Sequence, residues 1–533
     1  MRHYKRAIHL DFHTMPRVGD VAADFDARQF AATLAEANVE FVTFFAKCNL
    51  GFAYYPTKVG IVHPGMRKRD MLGPAVRECH KRGIGVVAYF NIGLDHEQAS
   101  RRRDWCTLSR IGQVHTENFL NNFFRRLCLN TAYGDYMADM IAEVVDRYEV
   151  DGVFCDCMKF RNTCLGRECL DDMAAEGLDV LSDADADAFA ADVTRRWMRR
   201  IKKIVGRQKL LYFNGVPYRE QSPYCTHLEL ECLPTGGWGY EHFPVVSRYI
   251  RMLGKPAVLM GGRFHKSWGD FGGVRPQASL DFDKFRALGS GLALSVGDHM
   301  HPRGRLDAAV YGRIGSVYGR AAALAEWTEG AKAVAEIAVV TRPDFEAPNE
   351  IGGAALAGAA RLLEELRHQF DIIDPMMPFE PYALLILADD VPVGPELAKR
   401  LRAYLAAGGR VLSTGFAGLN PEQSAFALPQ WKINVLGPSR FNVAFYTPSR
   451  AVARGLPDMP LTIYNPGIDM KARGGGKRLA RIVRPYFNRH WDGYHGYFYV
   501  PPDAPTNLDG VAECGAVSHI AFWAFASYHE QAS

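Results

Sequence analysis

The strongest constraint on the fold is a repeated alternation of strand and helix patterns along the first 330 residues. Short apolar runs typical of buried parallel strands alternate with stretches whose apolar residues have helical spacing. The helix pattern is clear before the fourth run, where Met137, Met140, Ile141, Val144 and Tyr148 recur three, four or seven positions apart. The apolar runs cover residues 7–12, 41–45, 85–91, 150–157, 210–214, 227–231, 257–260 and 292–296.

Eight such units predict an α/β protein with a (β/α)8 TIM barrel and inserted loops. Residues 216–226 have no clear helix pattern, so we expect the unit after the fifth strand to be degenerate. After Trp327 the alternation restarts and predicts a smaller flavodoxin-like domain. From about Leu436, short runs rich in Tyr, Phe, Pro and Gly predict a C-terminal β-containing region. The expected domains are therefore 1–330, 331–435 and 436–533.

Composition argues against two classes of function. The net charge is only +4 over 533 residues, and the basic runs at 67–69 and 101–103 have no interleaved aromatic residues, so we expect no nucleic-acid partner. No apolar run approaches the roughly 18 residues of a membrane span, and we expect no membrane partner. The start lacks the apolar stretch of a signal peptide, and the 11 cysteines form no regular framework, so we expect reduced thiols and a cytoplasmic location.

Polar and aromatic residues follow each predicted strand, on the face where barrels carry their active sites. The mixture suits a carbohydrate, because aromatic faces stack on the C–H surface of a sugar ring while carboxylates and amides bind its hydroxyl groups. The candidate substrate-binding residues are Asp11, His13, Lys47, Tyr55, Asn91, Asn214, Trp238, Tyr240, Arg263, His265, Trp268, Asp298 and His301.

Three carboxylates are candidates for catalysis. Hydrolysis of a glycoside needs two carboxyl groups that flank the scissile bond. Asp156 ends the fourth strand and is the candidate nucleophile, although an aspartate there can also cap the next turn. Glu229 and Glu231 are candidates for the acid/base and face the same side of the sixth strand. Glu231 is nearer the loop and is preferred. The structural alternative for Glu231 is an ion pair with Arg263 or Lys47.

Two groups of residues could instead bind a metal. His9, Asp11 and His13 alternate onto one face of the first strand, but no second ligand cluster has characteristic spacing. The spacing of the second group is not that of a standard zinc motif, so free buried thiols are the alternative to a structural zinc. We otherwise expect no cofactor. The weak zinc candidates of the second group are Cys155, Cys157, Cys164 and Cys169.

Several motifs carry a family resemblance. Over most of residues 1–330, and more weakly to the end, the chain resembles the hypothetical glycosyl hydrolase 6 group, which is similar to the family 29 α-L-fucosidases. The resemblance implies that the strand-four aspartate, Asp156, is the nucleophile, and it leaves the acid/base open between Glu229 and Glu231. The motifs are HLDFH (9–13), DGVFCD (151–156), ELECLPTGGWGY (229–240), RFHKSWGD (263–270) and GDHMHPRG (297–304).

The second domain resembles the glutamine-amidotransferase-like, trimerisation-type domain of family 42 β-galactosidases. Residues 411–418 hold no cysteine where an amidotransferase needs its nucleophile, so this domain is expected to serve structure or assembly. We predict a retaining, exo-acting, α-L-fucosidase-like glycosidase that acts on a carbohydrate as a homodimer or homotrimer. The alternatives are a non-catalytic carbohydrate-binding protein on a decayed barrel and a metal-dependent hydrolase built on His9, Asp11, His13 and His301.

Overall fold

A computed structural model of the protein describes residues 5–117, 124–347 and 352–531. The chain divides into two compact units, and each unit is discontinuous in sequence. The first comprises Met1–Tyr240 and Leu253–Lys332, and the second comprises Glu241–Met252 and Ala333–Ser533. No helix in the described part of the chain combines the length and the apolar character needed to cross a membrane.

The first unit is the predicted (β/α)8 barrel. Its strands are β1 (Arg6–Asp11), β2 (Phe41–Lys47), β3 (Gly85–Asn91), β4 (Gly152–Asp156), β5 (Leu210–Phe213), β6 (Leu228–Glu231), β7 (Ala257–Gly262) and β8 (Ala293–His299). The α-helices of the described residues, in both units, are α1 (Ala27–Glu36), α2 (Leu72–His80), α3 (His96–Arg101), α4 (Ala132–Arg147), α5 (Arg167–Ala175), α6 (Asp183–Val205), α7 (Tyr218–Gln221), α8 (His242–Ile250), α9 (Gln277–Gly289), α10 (Ala308–Ala323), α11 (Ala325–Thr328), α12 (Gly353–Glu365), α13 (Pro395–Ala406) and α14 (Ala524–Gln531).

The eight barrel strands pair in parallel in the order β6-β7-β8-β1-β2-β3-β4-β5. The two ends of this order are linked by side chains. The Tyr212 hydroxyl on β5 donates a hydrogen bond of 2.8 Å to the backbone carbonyl of Glu229 on β6. The Thr226 hydroxyl, just before β6, accepts a 2.9 Å bond from the backbone N–H of Leu211. The barrel is therefore nearly closed, and the C-terminal ends of its strands converge on one face.

The expected degenerate unit follows β5. Helix α7 is a single turn, and the Gln221 side chain at its end is fully buried. The Gln221 Nε2 atom donates to the backbone carbonyls of Phe213 and Val216 at 2.9 and 2.7 Å. One side chain thus satisfies backbone groups at the end of β5 that neighbouring secondary structure would otherwise have to satisfy.

The second unit contains a nine-stranded mixed sheet. Its helix α8 lies between β6 and β7 in sequence but packs against strand β10 and helix α12 of this unit. The longer strands of the unit are β9 (Ile337–Val340), β10 (Phe370–Ile373), β11 (Leu384–Leu387), β12 (Arg410–Thr414), β13 (Ile433–Pro438), β14 (Ala444–Pro448), β15 (Leu461–Ile463), β16 (Ile468–Ala472), β17 (Lys477–Pro485), β18 (Pro502–Cys514) and β19 (Val517–Ile520). Two further strands of two residues each, His490–Trp491 and Gly496–Tyr497, pair with each other.

The sheet continues across the domain boundary that the sequence places at residue 435. Its order is β10-β9-β11-β12-β19-β18-β17-β14-β15. The near-C-terminal strand β19 pairs in parallel with β12, with Ser413 opposite His519. Residues on both sides of 435 therefore form one compact unit. The expected boundary at residue 435 is therefore corrected, because strand β19 from residues 436–533 pairs with strand β12 from residues 331–435 in one sheet.

Candidate active site

A cavity of about 470 Å³ opens at the C-terminal face of the barrel. It is built from the ends of the barrel strands and from the loops that follow them, including the loop after β7. The cavity is lined by His9, Asp11, His13, Met15, Phe45, Asn49, Leu50, Tyr89, Leu94, Asp156, Cys157, Asn214, Glu231, Met260, Ser267, Trp268, Gly269 and Phe271.

Asp156 is the last residue of β4 and lies in the cavity as an ordered hydrogen-bond acceptor. Its Oδ2 atom accepts a short hydrogen bond from the Tyr89 hydroxyl and a bond of 3.3 Å from Asn91 Nδ2. Its Oδ1 atom accepts a bond of 2.9 Å from Asn214 Nδ2. Donors on both oxygens hold the carboxylate in one orientation.

Glu231 is the last residue of β6, and Asn214 links it to Asp156. The Asn214 Nδ2 atom lies 2.9 Å from Asp156 Oδ1 and 3.4 Å from Glu231 Oε2. Because both distances share one nitrogen, these two oxygens are at most about 6.3 Å apart. That upper limit includes the separation of about 5–5.5 Å in retaining glycosidases and lies just below the range of about 6.5–9.5 Å in inverting ones.

The environment of Glu231 suits a general acid. Burial raises the pKa of the Glu231 carboxyl group, and a hydrogen bond of 2.8 Å from Trp268 Nε1 to Glu231 Oε1 opposes that rise. The net pKa lies above the usual value for glutamate. A carboxyl group with a raised pKa beside an oriented carboxylate is the division of roles that glycoside hydrolysis uses.

Aromatic rings form one wall of the cavity. The rings of His9 and Trp268 lie 5.0 Å apart, and His9 packs edge-on against Phe154 at 4.8 Å. Phe45 stacks on Tyr89 at 3.8 Å with nearly parallel planes. Such packing fixes the Tyr89 hydroxyl and the Trp268 indole in the positions from which they donate to the two carboxylates.

A polar group at the end of β1 forms another part of the wall. The Nε2 atoms of His13 and His299 each lie 3.6 Å from a carboxylate oxygen of Asp11. Burial lowers the pKa of His13, but the Asp11 carboxylate and the Cys48 thiol outweigh burial, so the pKa lies above the usual value. Burial lowers the pKa of His299 to about 4, and this ring accepts a 2.7 Å bond from the backbone N–H of Gly269.

Six of the candidate catalytic and substrate-binding residues named from the sequence line this cavity: Asp11, His13, Asp156, Asn214, Glu231 and Trp268. Asn91 supports Asp156 from beside the cavity. Glu229 lies one step deeper along β6, where it is 2% exposed and its Oε1 atom lies 2.9 Å from His227 Nε2. The position of Glu231 at the strand end therefore favours it over Glu229 as the residue that can reach a substrate.

Several other candidates form hydrogen bonds or ion pairs with protein groups outside the cavity. Lys47 is fully buried and forms an ion pair of 3.1 Å with Asp95. The Tyr55 hydroxyl donates to Glu143 on α4. Asp298 alternates away from the barrel interior and pairs with Arg263 at 2.7 Å. Arg263 also donates 2.7 Å to the carbonyl of Gly273, so the pair holds the loop that carries Trp268.

The remaining aromatic and histidine candidates lie in loops outside the cavity lining. Tyr240 is exposed and packs edge-on against Phe282. Trp238 is half-buried. His265 and His301 are exposed, and the His301 Nδ1 atom accepts the backbone N–H of Arg303. The loops carry these side chains away from the strand ends, which strand periodicity does not reveal.

Tyr89, Phe45, His9 and His299 are cavity or wall residues that the sequence does not identify as substrate contacts. The alternation of β3 contains a signal for Tyr89, because Tyr89 lies two residues before Asn91 and faces the same side. His9 bears the same relation to Asp11, although the sequence pattern points to His9 as a metal ligand rather than a wall residue. Phe45 and Tyr89 read in sequence as ordinary apolar strand residues.

The cysteines group differently from the sequence expectation. Cys164 and Cys169 lie together, but their third neighbour is Cys128, from the segment that precedes α4. Cys155 is buried in β4, and Cys157 donates to the Asp156 carboxylate at 3.3 Å. The expected set of four is thus corrected to a set of three. Within the described residues, this is the only group of three His, Cys, Asp or Glu side chains with metal-binding proximity, and His9, Asp11, His13 and His301 do not form one.

Comparison with known proteins agrees with this geometry. The family described as hypothetical glycosyl hydrolase 6 matches residues 26–157. The structure of α-L-fucosidase isoenzyme 2 from Paenibacillus thiaminolyticus is 30% identical in sequence, covers 100% of this chain and 82% of its own, and superposes with a TM-score of 0.92. The chain belongs to the glycoside hydrolase family of that enzyme. The family prediction from the sequence motifs is confirmed.

More distant structures share the fold. The β-galactosidase from Rahnella sp. R3 has 15% identity and a TM-score of 0.70, with coverage of 98% of this chain and 88% of its own. The enzyme from Bacillus circulans sp. alkalophilus has 12% identity and a TM-score of 0.71, with coverage of 99% and 87%. No curated protein sequence matches this glycoside hydrolase. The TIM-barrel fold and the glycosidase class predicted from the sequence are both confirmed.

Proposed function

We propose that this glycosidase is a retaining, exo-acting enzyme that removes α-L-fucosyl groups from carbohydrates. The observation that carries the proposal is the Asn214 amide between Asp156 and Glu231, because it limits the separation of their facing oxygens to about 6.3 Å. The fucosidase that shares 30% of its sequence supports the choice of sugar. Apolar side chains of the cavity, including Met15, Leu50 and Leu94, suit the methyl group of a 6-deoxy sugar.

In this mechanism Asp156 attacks the anomeric carbon and forms a covalent glycosyl-enzyme intermediate. Glu231 donates its proton to the leaving oxygen as the glycosidic bond breaks, and then removes a proton from the water that hydrolyses the intermediate. Tyr89, Asn91 and Asn214 donate to the Asp156 carboxylate and aim it. No step requires a metal or an organic cofactor, so activity should survive treatment with a chelator.

The test is a panel of aryl glycosides with the α-L-fucoside first, followed by NMR observation of the product before it mutarotates. We expect hydrolysis of the α-L-fucoside and initial release of α-L-fucose. Initial release of the β-anomer would contradict retention. Hydrolysis of a different glycoside with retention would contradict the sugar assignment alone.

A fluorinated fucosyl inactivator with a good leaving group gives an independent test of the nucleophile. It should form a stable ester on the peptide that carries Asp156, which mass spectrometry of a protease digest can locate. An ester on Glu231 or Glu229 would exchange the proposed roles.

We further propose that the enzyme works in the cytoplasm as a homodimer or homotrimer. All 11 cysteines are unpaired thiols, as expected in a reducing compartment. The resemblance of the second domain to the trimerisation-type domain of family 42 β-galactosidases supports assembly through the second unit. Fractionation of the source cells and light scattering of the purified protein test the two statements separately.

A further inference from the structure

Cys128, Cys164 and Cys169 form a three-thiol cluster in the first unit. Their Sγ atoms all lie within 4.8 Å of one another, and those of Cys128 and Cys169 are 3.4 Å apart. The residues are 3%, 5% and 2% exposed. Three thiolates bound at about 2.3 Å to one ion have sulfur–sulfur separations of about 3.8–4.0 Å, so small side-chain adjustments would complete such a site.

The surroundings favour a closed metal site. Met173, Ala186 and Phe189 pack against the three thiols and exclude bulk water. A cavity of about 20 Å³ adjoins the cluster and is lined by all three cysteines together with Asn130 and Asn162. That volume holds about one water molecule, and the two amides could hydrogen-bond it. The cluster therefore offers three soft ligands and room for a small fourth.

We propose that Cys128, Cys164 and Cys169 bind one thiophilic d¹⁰ cation, either Zn²⁺ with a water ligand or three-coordinate Cu⁺. Soft thiolate ligands select these ions over Mg²⁺ and Ca²⁺. Binding releases thiol protons to solvent and leaves the oxidation state of the cysteines unchanged.

The position of the cluster gives it a structural role near the catalytic centre. Cys128 precedes α4, Cys164 lies in the loop after β4, and Cys169 is on α5. An ion on these residues ties that loop to the segment before α4. Arg126 in the same segment donates 3.1 Å to the carbonyl of Cys157, the residue that follows Asp156. The ion should stabilise the loop behind the nucleophile and take no part in bond cleavage.

The experiment begins with the purified, reduced full-length protein stripped by a chelator. The stripped protein is titrated with Zn²⁺ in one arm and, anaerobically, with Cu⁺ in the other. At least one of the two metals should bind with a stoichiometry of one ion per chain and raise the Tm. Substitution by Cd²⁺ should give the ultraviolet charge-transfer absorption of three cadmium–thiolate bonds. Binding in the Zn²⁺ arm alone identifies the zinc site, and binding in the Cu⁺ arm alone identifies the copper site.

Two variants locate the site. Cys164→Ser should weaken binding at least about 100-fold, since loss of even an outer-shell contact costs about 10–100-fold. Cys225→Ser is the matched control, because Cys225 is also buried and donates to the Ser222 carbonyl, a contact that a serine hydroxyl can reproduce. Its affinity should equal that of the wild type.

A direct measurement covers the case in which Cys164→Ser fails to fold. X-ray absorption of the metal-loaded wild-type protein should show three sulfur ligands at about 2.3 Å. Absence of stoichiometric binding in both titrations, a coordination shell without three sulfurs, or unchanged affinity in a folded Cys164→Ser variant would overturn the proposal.

Discussion

At the scale of single residues, the Asn214 side chain bridges the two catalytic candidates, Asp156 and Glu231. Its amide nitrogen donates toward Asp156 Oδ1 and Glu231 Oε2, which belong to strands that are not adjacent in sequence. Tyr89 and Trp268 each add one donor to one carboxylate. The two carboxyl groups thus lie close together in different environments, which is how two like groups acquire the different roles of charged nucleophile and proton donor.

Asp156→Asn tests the nucleophile. The substitution keeps the size of the side chain but removes the attacking charge, so kcat on an aryl α-L-fucoside should fall by several orders of magnitude. The Tm should change little, because the residue faces a wet cavity. Asp146→Asn, at an exposed position on α4, is the control and should retain wild-type kcat. Near-normal activity with a sharply lower Tm would instead identify Asp156 as a structural cap.

Glu231→Gln tests the acid/base. Hydrolysis of a substrate with a poor leaving group should fall by about 10²–10⁴-fold, whereas an activated aryl glycoside should still form the intermediate. Azide should then accelerate turnover, because it attacks the intermediate without the base that water requires. The same azide response in Glu229→Gln, but not in Glu231→Gln, would transfer the role to Glu229.

Trp268→Phe tests the electrostatic coupling. The indole hydrogen bond stabilises the charged form of Glu231 and lowers its pKa, so its loss should raise that pKa. Because Glu231 must be protonated to act as the acid, the alkaline limb of kcat/KM should move to higher pH by about one unit. An alkaline limb that stays in place or moves to lower pH would show that Trp268 does not set this pKa.

At the scale of elements, the weakest βα unit carries the residue that joins the catalytic pair. Asn214 directly follows β5, and the helix after β5 is a single turn. The buried Gln221 side chain holds the end of β5 by bonds to Phe213 and Val216. The position of Asn214 therefore depends on one glutamine rather than on a full-length helix.

Gln221→Ala should lower the free energy of unfolding by about 2–3 kcal/mol, because buried carbonyl groups lose their donors. It should also lower kcat, since Asn214 is adjacent to Phe213. Urea denaturation and kinetics on an aryl glycoside measure the two effects. The exposed Gln208→Ala should change stability by no more than about 0.5 kcal/mol. A stable and fully active Gln221→Ala variant would refute this role.

At the scale of the whole molecule, neither compact unit is a continuous segment of the chain. Residues 241–252 lie between β6 and β7 in sequence but belong to the second unit. Arg251 there donates to Asp371 and to the carbonyl of Phe370, and Tyr249 donates to Asp374. A cut after the barrel sequence thus removes the packing partners of α8.

A chain that ends at residue 332 should consequently aggregate, because α8 keeps the buried face that packs on the second unit. Replacement of 241–252 by a short Gly-Ser linker in that shortened chain removes the face and should reduce aggregation. Light scattering and circular dichroism compare the two. A monomeric 1–332 chain with cooperative melting would contradict the expectation.

The sequence by itself determined the barrel, the ends of its strands and the position of Asp156 at one of those ends. Buried parallel strands carry continuous apolar runs, and the polar residue that ends such a strand lies at the rim of the barrel whatever path the loops take. The predicted range of β3, residues 85–91, is recovered residue for residue. Strand β10, by contrast, is only four residues long and has no clear strand pattern in the sequence.

Only the tertiary structure decided which polar residues meet. Asp298 and Arg263 look like rim residues in sequence, but strand alternation turns Asp298 away from the interior and the two form a buried pair. Cys128 joins Cys164 and Cys169 across a separation in sequence that no local motif encodes. Local periodicity specifies which face a side chain occupies, whereas contacts between distant segments depend on barrel closure and on loop paths.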